Sequence, residues 1–298
     1  MGMAGMEIKP IAGAIGAEIH GVDLSKTLSN SEFDAVHRAF LDHQVIFFRD
    51  QKISPEQHIA FGRRFGELDV HPFADGLDEH PEIIHVLKEA RDHSKRTFGG
   101  GWHTDVTFYE KPALGSILYA LEVPESGGDT QFANMYLAYE NLSEGLKEML
   151  DGMTAIHSAS RGYGERGRAI HPKNNSYTSM KVRAGGPEAE IEVEHPVVRT
   201  HPETGRKGLF VNRGFTVRFK GWTEEESTPL LEYLYTHAVR PEFTCRFKWE
   251  KGSIAFWDNR AVQHFAASDY YPHQRVLRRV TISGDKPYFD PESDRDYN

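Results

Sequence analysis

The stretch Gly101-Trp102-His103-Thr104-Asp105-Val106-Thr107-Phe108 decides how the rest of the chain is read, together with what lies far downstream: Trp257-Asp258-Asn259-Arg260, then His264, then Arg275. Its β-branched and aromatic residues predict a strand over 103–109. Side chains alternate along a strand, so His103 and Asp105 would point to one face. That face offers one imidazole nitrogen and one carboxylate oxygen. A second histidine from a distant strand would complete three ligands on one side of a metal ion and leave the opposite positions open. This is the two-histidine, one-carboxylate ligand set of non-haem iron(II) oxygenases.

The His-x-acid pair alone is a weak signal. With 16 His and 44 acidic residues in the chain, chance gives roughly two such pairs. Besides His103/Asp105 the sequence holds His80-Pro81-Glu82 and His201-Pro202-Glu203. Both have Pro in the middle, which favours turns and sheet edges over a ligand strand. Most other histidines read as structural. His71, His80, His171, His195 and His201 all precede Pro. His37, His43 and His58 fall in or beside helical patterns, on helix surfaces or ends.

The bulk numbers exclude several classes. The chain has 298 residues and a net charge of −9. It therefore has no basic excess to neutralise phosphates, and no nucleic-acid partner is expected. A single cysteine, Cys245, rules out an intrachain disulfide and suits a reducing compartment. No apolar run is long enough to span a bilayer, and the first residues lack the charged start and apolar core of a signal peptide. A cytoplasmic protein without a membrane segment is expected.

Taken in order, the chain predicts two short strands within 7–24 and a helix opened by the capping box Ser29-Asn30-Ser31-Glu32. A buried strand follows at 45–48, then a helix starting at Ser54-Pro55-Glu56-Gln57. A polar connection over 69–101 carries a strand near 83–87 and ends in Gly99-Gly100-Gly101. Strands are expected at 115–121, 130–134, 193–200, 207–212, 215–219, 243–249, 253–257 and 275–283. Helices are expected from Ser143, closed by Gly152, and within 223–238, where Pro229 must sit near the start or cause a kink. Residues 158–190, rich in Gly, Arg, Ser and Asn, read as a lid or insertion whose basic excess suits an anionic substrate. No repeat or linker is visible, so one domain over 1–298 is expected, mainly β with flanking helices, of jelly-roll type.

In the last strand, Arg275, Leu277, Arg279 and Thr281 share one face and Val276, Arg278, Val280 and Ile282 the other. A buried Arg needs an anionic partner. Two on one face could hold two anions, or could form structural ion pairs.

Several motifs in order resemble the taurine and aryloxyalkanoate dioxygenases, which depend on iron(II) and 2-oxoglutarate. They are Ile15-Gly16-Ala17-Glu18-Ile19 with Gly21-Val22-Asp23-Leu24, Arg64-Phe65-Gly66, Trp102-His103-Thr104-Asp105, Gly127-Gly128-Asp129-Thr130, His195-Pro196-Val197-Val198-Arg199-Thr200, Trp257-Asp258-Asn259-Arg260 with His264, and Arg275 with Arg279. The resemblance covers nearly the whole chain. It implies a double-stranded β-helix (jelly roll), a homo-oligomer (dimer or tetramer), and iron(II), 2-oxoglutarate and O2 as cofactors. His103, Asp105 and His264 would bind iron and carry catalysis. Arg275, helped by Thr130, would hold the distal carboxylate of 2-oxoglutarate. His71, Arg279 and Phe215 would meet a small anionic substrate, taurine or a related sulfonate first, released as sulfite with succinate and CO2. Alkyl sulfates and aryloxyalkanoates are the alternatives. In taurine enzymes an Asn lines the pocket where this chain has Gly99. A zinc hydrolase or a non-catalytic metal-binding barrel would need no 2-oxoglutarate anchor at Arg275 and Thr130.

Overall fold

A computed structural model describes residues 5–92, 97–164, 179–180 and 186–293. Most of the expected 158–190 lid therefore lies outside the described residues. In chain order the strands are β1 (Glu7–Pro10), β2 (Ala17–His20), β3 (Val45–Phe48), β4 (Leu68–Asp69), β5 (Ile84–Lys88), β6 (Ala113–Glu122), β7 (Thr130–Asn134), β8 (Thr154–Ser158), β9 (Glu192–Pro196), β10 (Val198–Thr200), β11 (Lys207–Leu209), β12 (Thr216–Phe219), β13 (Thr244–Phe247), β14 (Ile254–Asp258), β15 (Val262–Ala266) and β16 (Arg275–Ser283). The helices are α1 (Asn30–His43), α2 (Pro55–Arg63), α3 (Met135–Glu140), α4 (Glu144–Leu150) and α5 (Glu224–Ala238).

The main sheet runs β1-β2-β3-β14-β6-β16-β4, with β5 also paired to β16. A smaller sheet runs β13-β7-β15. The two face each other, as the alternation of side chains shows. Val45 and Phe47 of β3, Ala255 and Trp257 of β14 and Leu277 of β16 join Phe132, Phe247 and Val262 of the smaller sheet in one buried cluster. Phe47 stacks on Phe247 with ring centroids 4.0 Å apart. The opposite face of the same strands, Ile46, Phe48, Ile254, Phe256 and Ile282, packs on Val36 and Phe40 of α1 and Ile59 and Phe61 of α2. Both faces of β3 and β14 are thus covered, which is why these strands read as unbroken apolar runs. The result is the jelly roll expected, with helices outside it.

The capping boxes form as the sequence implied. Ser29, Ser54 and Thr223 each cap a helix whose third residue, Glu32, Gln57 or Glu226, bonds back to the cap. Pro229 lies inside α5, in its second turn. The short helix α3, capped by the Asn134 side chain, was not expected. His58 is buried, donating from Nε2 to the Ile117 carbonyl at 3.2 Å, rather than on the helix surface.

A further expectation is overturned. Residues 103–109 are not a strand: His103 makes a single bridge to His264, and the chain then turns. Val106 adopts φ 45° and Tyr109 N–H bonds back to the Val106 carbonyl at 3.0 Å. A left-handed conformation is costly for a β-branched residue. Tertiary bonds offset it. The Thr107 hydroxyl bonds His157 Nδ1 at 3.0 Å and Asn212 Nδ2 at 3.1 Å. His195 Nε2 is shared between the Thr107 and Tyr109 carbonyls, at 2.9 Å each. Two buried histidines therefore hold the turn that carries Asp105.

Candidate active site

The site begins with main-chain pairing. His103 and His264 exchange backbone hydrogen bonds at 3.1 and 2.9 Å. β15 places His264 opposite Phe132 of β7, so its ring enters the space between the sheets. The two imidazoles stand with centroids 4.2 Å apart. The turn after His103 then brings Asp105 to them. Asp105 Oδ1 lies 3.6 Å from His103 Nε2 and 3.8 Å from His264 Nε2. Among the described residues these three form the one group able to hold a metal ion, with ligand atoms all within 4.8 Å of one another.

The donor set suits such an ion. His103 Nδ1 donates to the Gly101 carbonyl at 2.7 Å, which leaves the Nε2 lone pair facing Asp105. His264 is pushed down to about 3, first by burial and then by the neighbouring His103, so it is neutral and ready to ligate. Its ring packs 4.6 Å from Trp257. Burial alone would raise the Asp105 carboxyl. The opposing charge of Arg279 outweighs burial and holds it well below the usual carboxylate range. Arg279 Nη1 donates to Asp105 Oδ1 at 3.0 Å. On the other side Ser116 Oγ donates to Oδ2 at 2.8 Å, and Asn259 Nδ2 lies 3.5 Å from the same oxygen. Asn259 also accepts the Asp105 N–H at 3.2 Å and Trp257 Nε1 at 3.1 Å. The Asn259 turn is fixed by buried charge: Asp258 accepts from Arg260 and from His201 Nε2, and Arg260 reaches Glu203.

Beside the triad lies a pocket. Val86, Phe98, Gly99, Leu118, Trp257 and Ala266 give it apolar walls, and Thr130, Arg275 and Arg279 are its polar points. Arg275 is buried, with Nε and Nη2 lacking any hydrogen-bond partner among the described residues. Burial lowers its guanidinium to about 10, with Tyr270 and Asp129 partly offsetting that. Trp249 flanks it at 5.7 Å and donates from Nε1 to the Thr130 hydroxyl at 2.9 Å. Gly128 lets Arg275 pass: a Cβ there would lie 3.2 Å from Arg275 Cδ. Unpaired donors on a buried cation beside a metal-capable triad fit a carboxylate that is not itself part of the chain.

His71 and Phe215 stand one side chain back from this pocket. His71 Nδ1 accepts from the Phe73 and Ala74 amides at 3.1 and 3.0 Å, and its ring meets Phe98, which does line the pocket. Phe215 packs edge-on to His103 at 6.3 Å. Ser116, Trp249 and Phe98 are the neighbours that sequence reading did not single out; Asn259 was named only within the Trp257-Asp258-Asn259-Arg260 motif, without a role. Ser116 carried one signal, the one serine within the apolar run of β6.

Together these features make a group of two histidines and one carboxylate that could hold one metal ion inside a jelly roll, with an unpaired buried cation beside it. Residues 7–281 match the family model described as taurine catabolism dioxygenase TauD, TfdA family, and the chain belongs to that family. It is an α-ketoglutarate-dependent dioxygenase, and the family's cofactors are iron(II), 2-oxoglutarate and O2. Similar proteins include an α-ketoglutarate-dependent sulfate ester dioxygenase of Pseudomonas putida, 38% identical over 283 residues, covering 95% of this chain and 91% of that protein. The alkylsulfatase of Acinetobacter baylyi is 36% identical over 281 residues, covering 94% and 86%. The crystal structure of a taurine dioxygenase from Burkholderia xenovorans superposes with a TM-score of 0.79 at 40% identity, covering 97% of this chain and 94% of that one. No helix among the described residues is long and apolar enough to cross a membrane.

Proposed function

We propose that this dioxygenase hydroxylates the carbon that bears a sulfate-ester or sulfonate group, with alkyl sulfates preferred. The observation that carries the preference is the pocket wall. It offers Arg279 for an anionic head, and among the described residues none that line it is a carboxylate. The ammonium of taurine would find no counter-charge in that lining, whereas an alkyl tail would meet Val86, Phe98 and Leu118. The two curated relatives above support the same class. Taurine is the second reading, favoured by the likeness to the Burkholderia structure.

In this reading His103, Asp105 and His264 would hold iron(II), which would supply the redox chemistry that couples O2 to oxidation of 2-oxoglutarate. Arg275 and the Thr130 hydroxyl bind the distal carboxylate of the cosubstrate through charge-assisted bonds. Arg279 orients the sulfo group, backed by His71 through Phe98, and Phe215 fixes the His103 ring. The apolar walls exclude water from the reacting carbon. One oxygen atom enters the C–H bond beside the ester oxygen. The hydroxylated carbon then expels hydrogen sulfate and leaves an aldehyde; the other oxygen atom ends in succinate. A sulfonate would release sulfite instead. A cytoplasmic homo-oligomer, built of one catalytic domain per chain, completes the proposal from the family resemblance.

The test measures sulfate released from hexyl sulfate and sulfite released from taurine, with iron(II), ascorbate and air, with and without 2-oxoglutarate. Cosubstrate-dependent sulfate release exceeding sulfite release is expected. Sulfite release alone would favour taurine and overturn the preference.

A further inference from the structure

The two oxygens of Asp105 have separate surroundings. Oδ1 faces both histidine Nε2 atoms. Oδ2 points the other way and is capped by the Ser116 hydroxyl at 2.8 Å, with Asn259 Nδ2 at 3.5 Å. Asn259 Nδ2 also lies 3.4 Å from Ser116 Oγ, so cap and brace touch each other. Ser116 itself is completely buried in the middle of β6, with β14 on one side through Trp257 and β16 on the other through Thr281. Its hydroxyl therefore has little freedom to turn elsewhere.

We propose that Ser116, braced by Asn259, is a positioning residue that keeps Asp105 a one-oxygen metal ligand. The consequence lies in the number of positions left open. Two imidazoles and one oxygen occupy three of the six positions of an octahedral ion, leaving two for a chelating 2-oxoacid and one for O2. A carboxylate free to rotate could bind through both oxygens and take one of those positions. Hydrogen bonds to the ligand's second oxygen prevent that rotation, and such outer contacts typically change metal-site properties by about 10- to 100-fold when removed. The proposal rests on the reading of His103, Asp105 and His264 as the metal site, and the test separates the two.

Calorimetry on the full chain would measure Mn(II) affinity, then 2-oxoglutarate affinity of the Mn(II)-loaded protein, for wild type, Ser116→Ala and Asp105→Ala, alongside the melting temperature of each metal-free protein. The expected result is that Ser116→Ala loses about tenfold or more in 2-oxoglutarate affinity, beyond any loss in Mn(II) affinity, with its melting temperature unchanged. Asp105→Ala should lose Mn(II) binding. A general structural weakening would lower both affinities of Ser116→Ala with its melting temperature, and would overturn the positioning role. So would a 2-oxoglutarate affinity within twofold of wild type. Undiminished Mn(II) binding by Asp105→Ala would instead overturn the metal-site reading. Because Ser→Ala removes a single oxygen at a closely packed position, the variant retains the shape of β6. Asn259→Asp, which exchanges the bracing donor for an acceptor, should reproduce the loss of 2-oxoglutarate affinity; wild-type affinity in that variant would also count against the proposal.

Discussion

Arg279 donates from Nη1 to Asp105 Oδ1 at 3.0 Å, the same oxygen that the Nε2 atoms of His103 and His264 face. The guanidinium thus sits where a metal's positive charge would also act. It keeps a buried carboxylate ionised and correctly turned before any metal arrives, and it lies within reach of an anion in the pocket. Both partners are almost fully buried.

Removing that cation should therefore cost most when no metal is present. Arg279→Leu leaves Asp105 as an unpaired buried charge, a change worth about 3–5 kcal/mol in stability. Metal saturation should recover much of this, since the metal ion supplies the missing positive charge. Urea denaturation with and without Mn(II) would read the difference. An equal loss in both states would show that Arg279 does not share Asp105 with the metal.

Arg275 meets no partner among the described residues through Nε and Nη2. Arg275→Gln should raise the KM for 2-oxoglutarate about 100-fold, in line with about 2–5 kcal/mol for removing one side of a buried charge pair. Initial rates against 2-oxoglutarate concentration would measure it. An unchanged KM would place the cosubstrate anchor elsewhere.

The sequence made much of this visible, and the failures have physical causes. The strand β16 was legible to its ends because Val276, Val280, Thr281 and Ile282 give the run strand-forming, β-branched residues. The capping boxes at Ser29, Ser54 and Thr223 were legible because the cap and its partner are three residues apart. The 103–109 turn was not, because its local residues favour a strand. Bonds from Thr107 to His157 and Asn212, residues 50 and 105 positions away, decide the conformation. Propensity loses to such tertiary contacts. Ser116 was invisible as a partner of Asp105 for a related reason: the two meet only when β6 packs beneath the turn.

Gly99 bears on substrate size. It has φ +77°, and a Cβ there would stand 3.4 Å from His103 Cε1, inside the pocket. Asn tolerates this backbone conformation better than other side chains. Gly99→Asn should therefore fold, narrow the pocket over the His103 ring and raise the KM for long alkyl sulfates more than for short ones. A uniform change across chain lengths would show that Gly99 does not border the alkyl tail.

Acid should destabilise the protein through histidines away from the metal site. Burial pushes both His58 and His195 down to about 4, against an ordinary value of 6.5. As pH falls below about 6.5 the unfolded chain takes up protons that the folded chain refuses. Stability is therefore lost between about pH 6.5 and 4, by roughly 3 kcal/mol per histidine at the lower end. Urea denaturation of metal-free protein at about pH 7 and 5 would show the fall, and His58→Gln, which cannot titrate, should flatten it. An identical pH dependence in that variant would contradict the assignment.

If His103, Asp105 and His264 couple 2-oxoglutarate decarboxylation to oxidation of a sulfo-bearing carbon, as proposed, succinate and aldehyde form together. The most direct measurement quantifies succinate and aldehyde together from hexyl sulfate, for wild type and for Asp105→Ala. Equimolar succinate and aldehyde in the wild type, with both absent in the variant, is the expected result. Succinate formation that persists in Asp105→Ala would contradict the claim.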